Sequence, residues 1–399
     1  MTNVVPAGPL DGLKVIEMGQ LIAGPFCGQL LGDMGADVVK IEAPGVGDPA
    51  RVWGIPGYPL HWEVLSRNKR CVSCDLRQAE GQALARRLVA GADILIENFR
   101  PGTLERWNLA PADLRGADPR LIVVRMSGYG QTGPYSDRAG YGGIGEAMGG
   151  WRRIVGDPDR PPSRMGVSIG DALAATCGAL GALAALAWRE KTGVGQIVDS
   201  ALYEAVLQVM ESLVPDFQVA GHERGRTGSI LPGIAPSNVY RCADGELLIA
   251  ANQDTVFARL AEAMGAPELA TDPRFATHGA RGARQRELDE IIETWTATRT
   301  LAEVEAAMRA AGVPAGKIYT PADMLADPQF KARESLVEMD HPRWGRLVMQ
   351  NVFPRLSETP GKVRTTASQS VGSDNAEVYG ERLGLTAADL AALQKRGVI

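Results

Sequence analysis

The sequence predicts an α/β protein, with a Rossmann-like parallel sheet in a large domain and a second, small α+β domain. Apolar strand patterns alternate with helical patterns through residues 13–126. The first strand, loop, helix and strand span about 30 residues, which is typical of a right-handed parallel crossover. Farther along, a hairpin pattern is followed by helical patterns alone, which indicates a separate α+β unit.

The elements of the large domain follow in order. Residues 13–17 (LKVIE) and 37–42 (DVVKIE) are apolar strands, and residues 26–34 form the helix between them, which Gly35 ends. The pattern recurs in a helix over 80–90 and in strands over 93–97, 121–126 and 197–201. These strands are predicted to join one parallel sheet.

The longest apolar run, residues 172–188, is rich in Ala and Gly. It falls short of the ~20 residues that a membrane span needs. We therefore predict a buried helix over residues 172–190, in which the small side chains allow close packing.

The small domain begins with a hairpin over residues 238–251, whose turn is Asp244-Gly245. Helical patterns follow over 255–264, 284–296, 301–311 and, at the end of the chain, 385–397. In the last of these, Thr386 and Asp389 have the spacing of a capping box.

These patterns predict the domain organisation. Residues 1–200 form the amino-terminal part of the large domain, 201–229 a linker, 230–320 the small domain, and 321–399 a return segment that completes the large domain. Residues 224–236, rich in Gly, Arg, Ser and Pro, are predicted to be a loop without regular structure.

Charge and cysteine content exclude several classes of protein. Lys and Arg total 42 against 47 Asp and Glu, a net charge of −5, and no basic run is present, which argues against a nucleic-acid partner. The amino terminus shows no targeting pattern, and five cysteines are too few for a disulfide framework, so we expect a cytoplasmic protein without a membrane partner. Cys71 and Cys74 are interpreted as packing residues of a strand.

Two cofactor classes are not supported. Residues 128–133 (GYGQTG) match a dinucleotide fingerprint, but the following stretch lacks the helical period that NAD binding needs, so a glycine-rich loop near another ligand is favoured. The four histidines have no metal-ligand spacing. We expect no metal and no NAD.

Asp171 directly precedes the small-residue helix, and two interpretations are open. One is an N-cap, whose carboxylate accepts hydrogen bonds from backbone N–H groups. The other is a carboxylate nucleophile for an electrophile such as a thioester, with the N–H groups of the helix start stabilising an oxyanion. Its position in the sequence does not choose between them.

Cationic side chains recur near predicted loop ends of the large domain, with Trp53 and Phe99 between them. They are Arg51, Lys69, Arg70, Arg77, Arg100 and Arg106. Ordinary surface charge explains them, and so does recognition of a phosphorylated, adenine-bearing ligand at the switch point of the sheet.

Several segments together resemble the class III CoA-transferase family, whose members include formyl-CoA transferase and carnitine CoA-transferase types. The resemblance spans nearly the whole chain. It is carried by residues 23–25 (AGP), 35–42 (GADVVKIE), 47–48 (GD) with Arg51, 68–70 (NKR), 97–102 (ENFRPG) with Arg106, 127–134 (SGYGQTGP), 170–171 (GD) and 192–196 (TGVGQ).

The resemblance implies roles for individual residues. Asp171 matches the catalytic aspartate, which is acylated by the donor and then carries CoA as a thioester. Positions that contact CoA are matched by Ala23, Leu76, Arg77, Asn98, Phe99, Arg100 and Arg106. Trp53 and Tyr141 match positions that line the reaction pocket. CoA and acyl-CoA are then substrates, no tightly bound cofactor is implied, and an interlaced homodimer is expected.

The substrates are predicted to be a succinyl-CoA donor and a short dicarboxylic or hydroxy acid as acceptor. Arg224 and Arg226 lie where formyl-CoA transferase carries a run of glycines, and we predict that one or both meet the second carboxylate of such an acid. A solvated loop is the other interpretation of this segment. The alternatives are an α-methylacyl-CoA racemase, which needs a His-Asp pair where this chain has Tyr141-Gly142, and a CoA-binding protein without catalysis.

Overall fold

The computed structural model describes residues 8–399, and most of the amino-terminal stretch that shows no targeting pattern lies outside the described residues. The chain divides into two compact units. The first comprises the chain up to Trp151, Met165–Ser212 and Lys331–Ile399, and the second comprises Arg152–Arg164 and Leu213–Phe330.

A six-stranded parallel sheet organises the first unit, and it confirms the predicted α/β fold. The strands are β1 (Lys14–Glu17), β2 (Asp37–Glu42), β3 (Lys69–Ser73), β4 (Ile94–Glu97), β5 (Ile122–Ser127) and β6 (Ile197–Ala201). They lie in the order β3-β2-β1-β4-β5-β6. In the register, Val15 of β1 pairs with both Val38 of β2 and Ile94 of β4.

Helices of the first unit cover the sheet and continue the chain beyond it. They are α1 (Ala23–Asp33), α2 (Leu60–Leu65), α3 (Ala79–Val89), α4 (Thr103–Arg106), α5 (Pro111–Ala117), α6 (Gly142–Met148), α7 (Trp151–Ile154), whose later residues belong to the second unit, α8 (Ile169–Thr192) and α9 (Leu202–Leu207). A short 3-10 helix, Pro49–Val52, precedes α2.

Alternate residues of each strand supply the two core layers, because successive side chains of a strand point to opposite faces. Val15 and Val38 pack under α1 and α8, whereas Ile16 and Val39 belong to the layer that includes Leu84 of α3. The sheet is therefore buried on both faces, as parallel sheets require.

Helix α8 is longer than predicted, with 24 residues. By length and composition it is the one helix among residues 8–399 that is apolar enough to cross a membrane. In its most apolar stretch of 18 residues, 39% of the residues are buried in the protein. It packs along α1, β5 and β6 through small residues such as Gly178 and Ala182, which is the close packing that its composition predicts.

The second unit contains the predicted hairpin. Strands β7 (Ser237–Cys242) and β8 (Gly245–Ala250) pair antiparallel, and β9 (Ala315–Lys317) pairs with β8. The helices are α10 (Leu213–Ala220), α11 (Asp254–Ala263), α12 (His278–Ala283), α13 (Gln285–Thr296), α14 (Leu301–Ala311), α15 (Pro321–Ala326) and α16 (Pro328–Ala332), with a 3-10 helix at Pro267–Ala270. The proposed linker over 201–229 thus contains α9 and α10.

The return segment adds the hairpin β10 (Leu336–His341) and β11 (Gly345–Gln350) and the helices α17 (Asn375–Leu383) and α18 (Ala387–Lys395) to the first unit. The buried His341 ring lies 2.8 Å from the Glu63 carboxylate, and the Asp374 carboxylate accepts a hydrogen bond from the Cys71 backbone N–H at 2.6 Å. The capping box predicted in the last helix is present at Thr386.

Cys71 lies in β3 and Cys74 directly after it, and both side chains are buried. Burial raises the pKa of each thiol to about 12, so both stay protonated at neutral pH. Packing at the strand is confirmed as their role.

Candidate active site

A cleft lies at the carboxyl edge of the parallel sheet, where the loops after β1, β4 and β5 meet. The strand order reverses between β1 and β4, and ligands bind at such switch points in doubly wound sheets. The cleft has a volume of about 190 Å³. It is lined by residues 20–23, 98–101, 126–128, 138–141, Asp171 and Leu202.

Asp171 lines this cleft from the first turn of α8. The helix begins at Ile169 and has Ser168 at its N-cap, so Asp171 is the third helical residue and the N-cap interpretation is wrong. Its side chain is half-buried. The positive end of the helix dipole at this position favours negative charge that develops on a neighbouring atom.

The carboxylate of Asp171 lies directly against the start of α6. A Cβ atom placed on Gly142 would lie 2.0 Å from Asp171 Oδ2 and 2.8 Å from Cγ. A Cβ atom on Gly170 would likewise lie 2.8 Å from the Gly142 carbonyl oxygen. Glycine at position 142 therefore makes room for the carboxylate, and glycine at position 170 lets the start of α8 approach the start of α6.

The loop after β1 is tied to the loop after β4 across the cleft. The Asn98 side chain accepts a hydrogen bond from the Gln20 backbone N–H at 2.7 Å, and its Nδ2 donates to the Gln20 carbonyl at 2.8 Å. Glycines at 19 and 24 allow this approach, since a Cβ atom on either would lie 3.2 Å from Asn98 Oδ1. Asn98 thus fixes one wall of the cleft.

Beneath the loop after β4, Glu97 is buried and paired. Arg125 Nε donates to Glu97 Oε1 at 2.7 Å, and the other carboxylate oxygen accepts from the Phe99 backbone N–H at 2.8 Å. The same guanidinium reaches Glu105 at 2.9 Å. These bonds hold the turn that carries Phe99 and Arg100.

A second cleft shares Gln20 and Phe99 with the first and extends along the same sheet edge. Leu76, Arg77 and Trp107 are among its lining residues, and the rings of Phe99 and Trp107 meet edge to face at 5.0 Å. An apolar aromatic floor suits a base. Arg77 is the cation of this cleft, and its guanidinium is paired at 2.9 Å with Asp75, which also lines the cleft. The two clefts together form an elongated site that ends at Asp171.

The residues predicted from the sequence fall into two groups. The cleft that contains Asp171 brings together Ala23, Asn98, Phe99, Arg100 and Tyr141, and the second cleft contains Leu76, Arg77 and Phe99. Four predicted residues line neither cleft: Arg106, Trp53, Arg224 and Arg226. Arg106 donates a hydrogen bond to Thr103 Oγ1 at 2.9 Å, and the Trp53 ring lies 6.1 Å from the His61 ring.

Arg224 and Arg226 belong to the second unit, in a loop that its own hydrogen bonds hold in place. Arg226 Nε donates to the Asp157 carbonyl at 3.0 Å and Nη2 to the Pro158 carbonyl at 3.3 Å. The backbone N–H of Gly228 donates to the Gly156 carbonyl at 3.0 Å. In this structure the Arg226 guanidinium therefore anchors its loop.

Four of the six cations predicted near loop ends form ion pairs within the fold. Arg51 lies 2.7 Å from Glu42, Lys69 lies 2.8 Å from Glu17, Arg70 lies 2.8 Å from Asp37, and Arg77 lies 2.9 Å from Asp75. Charge alone, read from the sequence, does not distinguish cations that face a cleft from cations that stabilise strands and helices.

Sequence reasoning missed several lining residues. Gln20 lies in the loop after β1, just as Asn98 lies in the loop after β4. This shared position after a strand could have identified Gln20 as a residue of the cleft. Ser127 at the end of β5 is buried and its Oγ has no hydrogen-bond partner within residues 8–399, so it can bond a ligand. Arg138 lines the cleft with its guanidinium 3.5 Å from the Tyr135 ring centroid, in a stretch interpreted only as loop.

The glycine-rich loop after β5 closes on itself beside the cleft. A Cβ atom on Gly128 would lie 2.8 Å from the Gly140 Cα, so the two backbone segments touch. The next helix, α6, begins only at Gly142, which is the expected departure from a dinucleotide fingerprint. Within the described residues no group of three or more His, Cys, Asp and Glu is placed to hold a metal ion.

Comparison with known proteins gives consistent results. A model of CoA-transferase family III matches residues 10–375. The succinyl-CoA–D-citramalate CoA-transferase of Chloroflexus aurantiacus is 56% identical over 403 residues, which cover 100% of both chains. The beta subunit of succinyl-CoA–L-malate CoA-transferase from the same organism is 41% identical over 398 residues, covering 98% of each chain. A crystal structure of a CAIB/BAIF family protein from Brucella suis aligns with a TM-score of 0.83 at 36% identity, covering 94% of this chain and 99% of that chain.

Proposed function

The chain belongs to CoA-transferase family III and is a CoA-transferase, and from that premise we propose that it moves CoA from succinyl-CoA to a short dicarboxylic or hydroxy acid with Asp171 as the nucleophile. One observation carries the proposal. Asp171 lies at the start of α8, in a cleft at the switch point of the sheet, together with five side chains that match CoA or substrate positions of the family.

The first half of the proposed reaction loads CoA onto Asp171. A carboxylate oxygen attacks the thioester carbonyl of the donor, the carbon–sulfur bond breaks, and CoA leaves as a thiolate from a mixed anhydride. The thiolate then attacks the Asp171 carbonyl, the donor acid leaves as a carboxylate, and an aspartyl-CoA thioester remains. A covalent route of this kind divides one difficult displacement into easier ones.

The second half reverses these steps with the acceptor. Its carboxylate attacks the aspartyl thioester and releases the CoA thiolate, which then attacks the acceptor carbonyl of the new anhydride and frees Asp171. One carboxylate is consumed and one released, so no net proton transfer is required. Water must stay out of the cleft, because it would hydrolyse both the anhydride and the thioester.

The relatives support the choice of substrates. The two from Chloroflexus aurantiacus are named for transfer from succinyl-CoA to D-citramalate or L-malate, and a third, from Agrobacterium fabrum, for succinate and glutarate at 38% identity. All of these acids carry two carboxylates. A shared donor and acceptor class among relatives of this similarity favours the same class here.

A donor and acceptor panel tests the proposed function. The purified chain is incubated with succinyl-, acetyl- or formyl-CoA and with citramalate, malate, glutarate, oxalate or carnitine, and the CoA thioesters formed are separated and quantified. We expect succinyl-CoA with a dicarboxylic acid to give the highest kcat/KM. A preference for formyl- or acetyl-CoA over succinyl-CoA as donor, or for carnitine, which has a quaternary ammonium in place of a second carboxylate, over the dicarboxylic acids as acceptor, would contradict the substrate proposal.

Recognition of the second carboxylate by Arg224 and Arg226 stays a prediction. Substituting both arginines with Ala is expected to raise KM for the dicarboxylic acceptor by about tenfold, because an arginine–carboxylate pair is a charge-assisted contact. Steady-state kinetics with the acceptor varied measure this. The control is KM for a monocarboxylic acceptor, which has no second carboxylate to lose a partner. Unchanged KM for dicarboxylic acids would remove the reason for assigning the two arginines.

We also propose a cytoplasmic, interlaced homodimer. Helix α8 supports a dimer, because Leu180, Leu183 and Trp188 on it are 68%, 41% and 52% exposed in the single chain, and monomeric proteins rarely leave such apolar rows uncovered. The expected result is a dimer that persists on dilution to nanomolar concentration, measured by mass photometry. A monomer at that concentration would contradict the proposal.

A further inference from the structure

Four charged side chains lie buried together beneath the loop that follows β1. We call them the lysine–carboxylate cluster, and its members are Glu17, Lys40, Asp48 and Lys69. Their side chains are at most 1% exposed. The cluster lies outside the cleft, and none of its members lines it.

The cluster is a chain of alternating charges. Lys69 Nζ lies 2.8 Å from Glu17 Oε2, Lys40 Nζ lies 2.8 Å from Glu17 Oε1, and Lys40 Nζ also lies 2.8 Å from Asp48 Oδ2. The charges of the two carboxylates balance those of the two ammonium groups. The register of the sheet places Glu17 opposite Lys40, and the carboxylate of Glu17 fits under α1 because a Cβ atom on Gly28 would lie 2.0 Å from its Oε2.

Burial and pairing act in opposite directions on these groups. Burial by itself raises the pKa of Glu17, yet the two lysines lower it below its usual value. Burial by itself lowers the pKa of Lys40, yet Glu17 and Asp48 raise it above its usual value. Both groups therefore remain charged at neutral pH, and the ion pair between Glu17 and Lys40 persists there, whereas burial holds the pKa of Lys69 below its usual value.

Each of three members also forms a hydrogen bond with the backbone of the segment from Gly19 to Pro25. The contacts are Lys40 Nζ to the Gly19 carbonyl at 2.7 Å, the Leu21 N–H to Asp48 Oδ1 at 3.1 Å, and Lys69 Nζ to the Pro25 carbonyl at 2.6 Å. Leu21 holds a φ of 64°, a conformation that needs such support in a residue other than glycine. Residues 20–23 of this segment line the cleft.

Stability alone does not account for the cluster. Replacing a buried ionic network by apolar side chains is often neutral or stabilising, because desolvation of the charges offsets their attraction. On the same face of the sheet, Val15, Val38 and Ile94 are apolar and pack under α1. What apolar side chains cannot supply is a set of bonds to the polar backbone of the loop.

We propose that the lysine–carboxylate cluster fixes residues 19–23 in the conformation that binds the CoA thioester beside Asp171. Its members are positioning residues, which hold the wall of the cleft and do not touch the substrate. The inference rests on the proposed function, because it takes this cleft as the CoA site. A displacement of the loop by about 1 Å is enough to change binding and catalysis strongly.

The test compares two substitutions that each remove a buried cation. Lys40→Met breaks the cluster, and Arg189→Met breaks the pair between Arg189 and Asp93, which is 3.0 Å long and lies at the other end of the strands, where β4 begins. The full chain is used for wild type and both variants. Isothermal titration calorimetry gives Kd for CoA, and steady-state kinetics give KM for succinyl-CoA, at a temperature where circular dichroism shows all three folded.

We expect Lys40→Met to raise both Kd for CoA and KM for succinyl-CoA by about tenfold, and Arg189→Met to change either by less than about twofold. If Lys40→Met binds CoA with the wild-type Kd, or if Arg189→Met raises Kd for CoA as much as Lys40→Met does, the proposal is overturned. If the wild type itself does not bind CoA, the proposed function is contradicted, and not only this inference.

If Lys40→Met does not fold, Asp48→Asn replaces it. The amide oxygen of Asn still accepts the hydrogen bond from the Leu21 N–H, while the negative charge that faces Lys40 is lost. A several-fold rise in Kd is then expected, and an unchanged Kd overturns the proposal.

Discussion

Asp171→Ala is expected to lower kcat for CoA transfer by about 10³-fold or more, since it removes the proposed nucleophile and leaves binding contacts in place. The variant should remain folded. The side chain is half-buried, and a carboxylate in the first turn of a helix contributes only about 0.3–1 kcal/mol to stability. Kd for CoA is therefore expected to stay close to the wild-type value, and the kinetic loss to appear in kcat.

Intact-protein mass spectrometry measures the intermediate directly. Wild type incubated with succinyl-CoA should gain the mass of CoA or of the acyl group, and hydroxylamine should convert it to a hydroxamate at Asp171. Asp171→Asn is the matched control, because it keeps the size and shape of the side chain without a nucleophilic carboxylate. An adduct that persists in either variant would place the nucleophile elsewhere.

Absence of an adduct with any donor, despite measurable CoA binding, would favour the alternatives. A racemase of the same fold would release the α-proton of a labelled acyl-CoA to solvent, and a non-catalytic protein would not. In this chain Tyr141 and Gly142 stand where the racemase branch uses its His-Asp pair, so the second acid/base group of a racemase is missing from that position.

Much of the fold could be predicted from the sequence, and the reason is periodicity. Strands β2 and β6 have the predicted bounds, β1 and β4 each begin one residue later, and β5 is shifted by one residue, because buried parallel strands are short apolar runs that stand out from their surroundings. Strand β3 was predicted only as an extended segment around Cys71, without bounds. Helix α6 was not predicted, because its Gly-rich sequence has a low helix propensity. Its formation depends on packing against α8 and α9, which no local pattern reports.

The site could be predicted only where a motif marked it. The motifs brought Asp171, Asn98 and Phe99 to attention, and these three line one cleft. Lys69 shows the limit, since a lysine at the start of a strand has the same sequence signature whether it faces solvent or pairs with Glu17 in the interior. Which charges become buried is decided by contacts between distant segments, and a single sequence does not carry that information.

Gly142→Ala is expected to lower kcat by about 10²-fold while the protein stays folded. Gly142 is the first residue of α6 and lies in an ordinary helical conformation, so alanine brings no backbone strain of its own. The new methyl group would lie 2.0 Å from Asp171 Oδ2, which is far inside contact distance, and the carboxylate would have to rotate away. A nucleophile displaced by about 1 Å loses its alignment with the thioester carbonyl, although CoA is still bound elsewhere along the cleft.

The control for this prediction strains the same helix without touching the carboxylate. A Cβ atom on Gly149, at the end of α6, would lie 2.6 Å from the Val206 side chain, so Gly149→Ala disturbs the packing of α6 on α9 and leaves Asp171 in place. We expect this variant to lose thermal stability and to keep kcat within about threefold of wild type.

An equal loss of kcat in Gly142→Ala and Gly149→Ala would mean that α6 affects catalysis through its general packing. Wild-type kcat in Gly142→Ala would mean that the carboxylate tolerates another orientation, and that the room left by Gly142 is not needed for catalysis. The specific combination, a large loss in Gly142→Ala with CoA affinity retained and little loss in Gly149→Ala, is what a positioned carboxylate nucleophile requires.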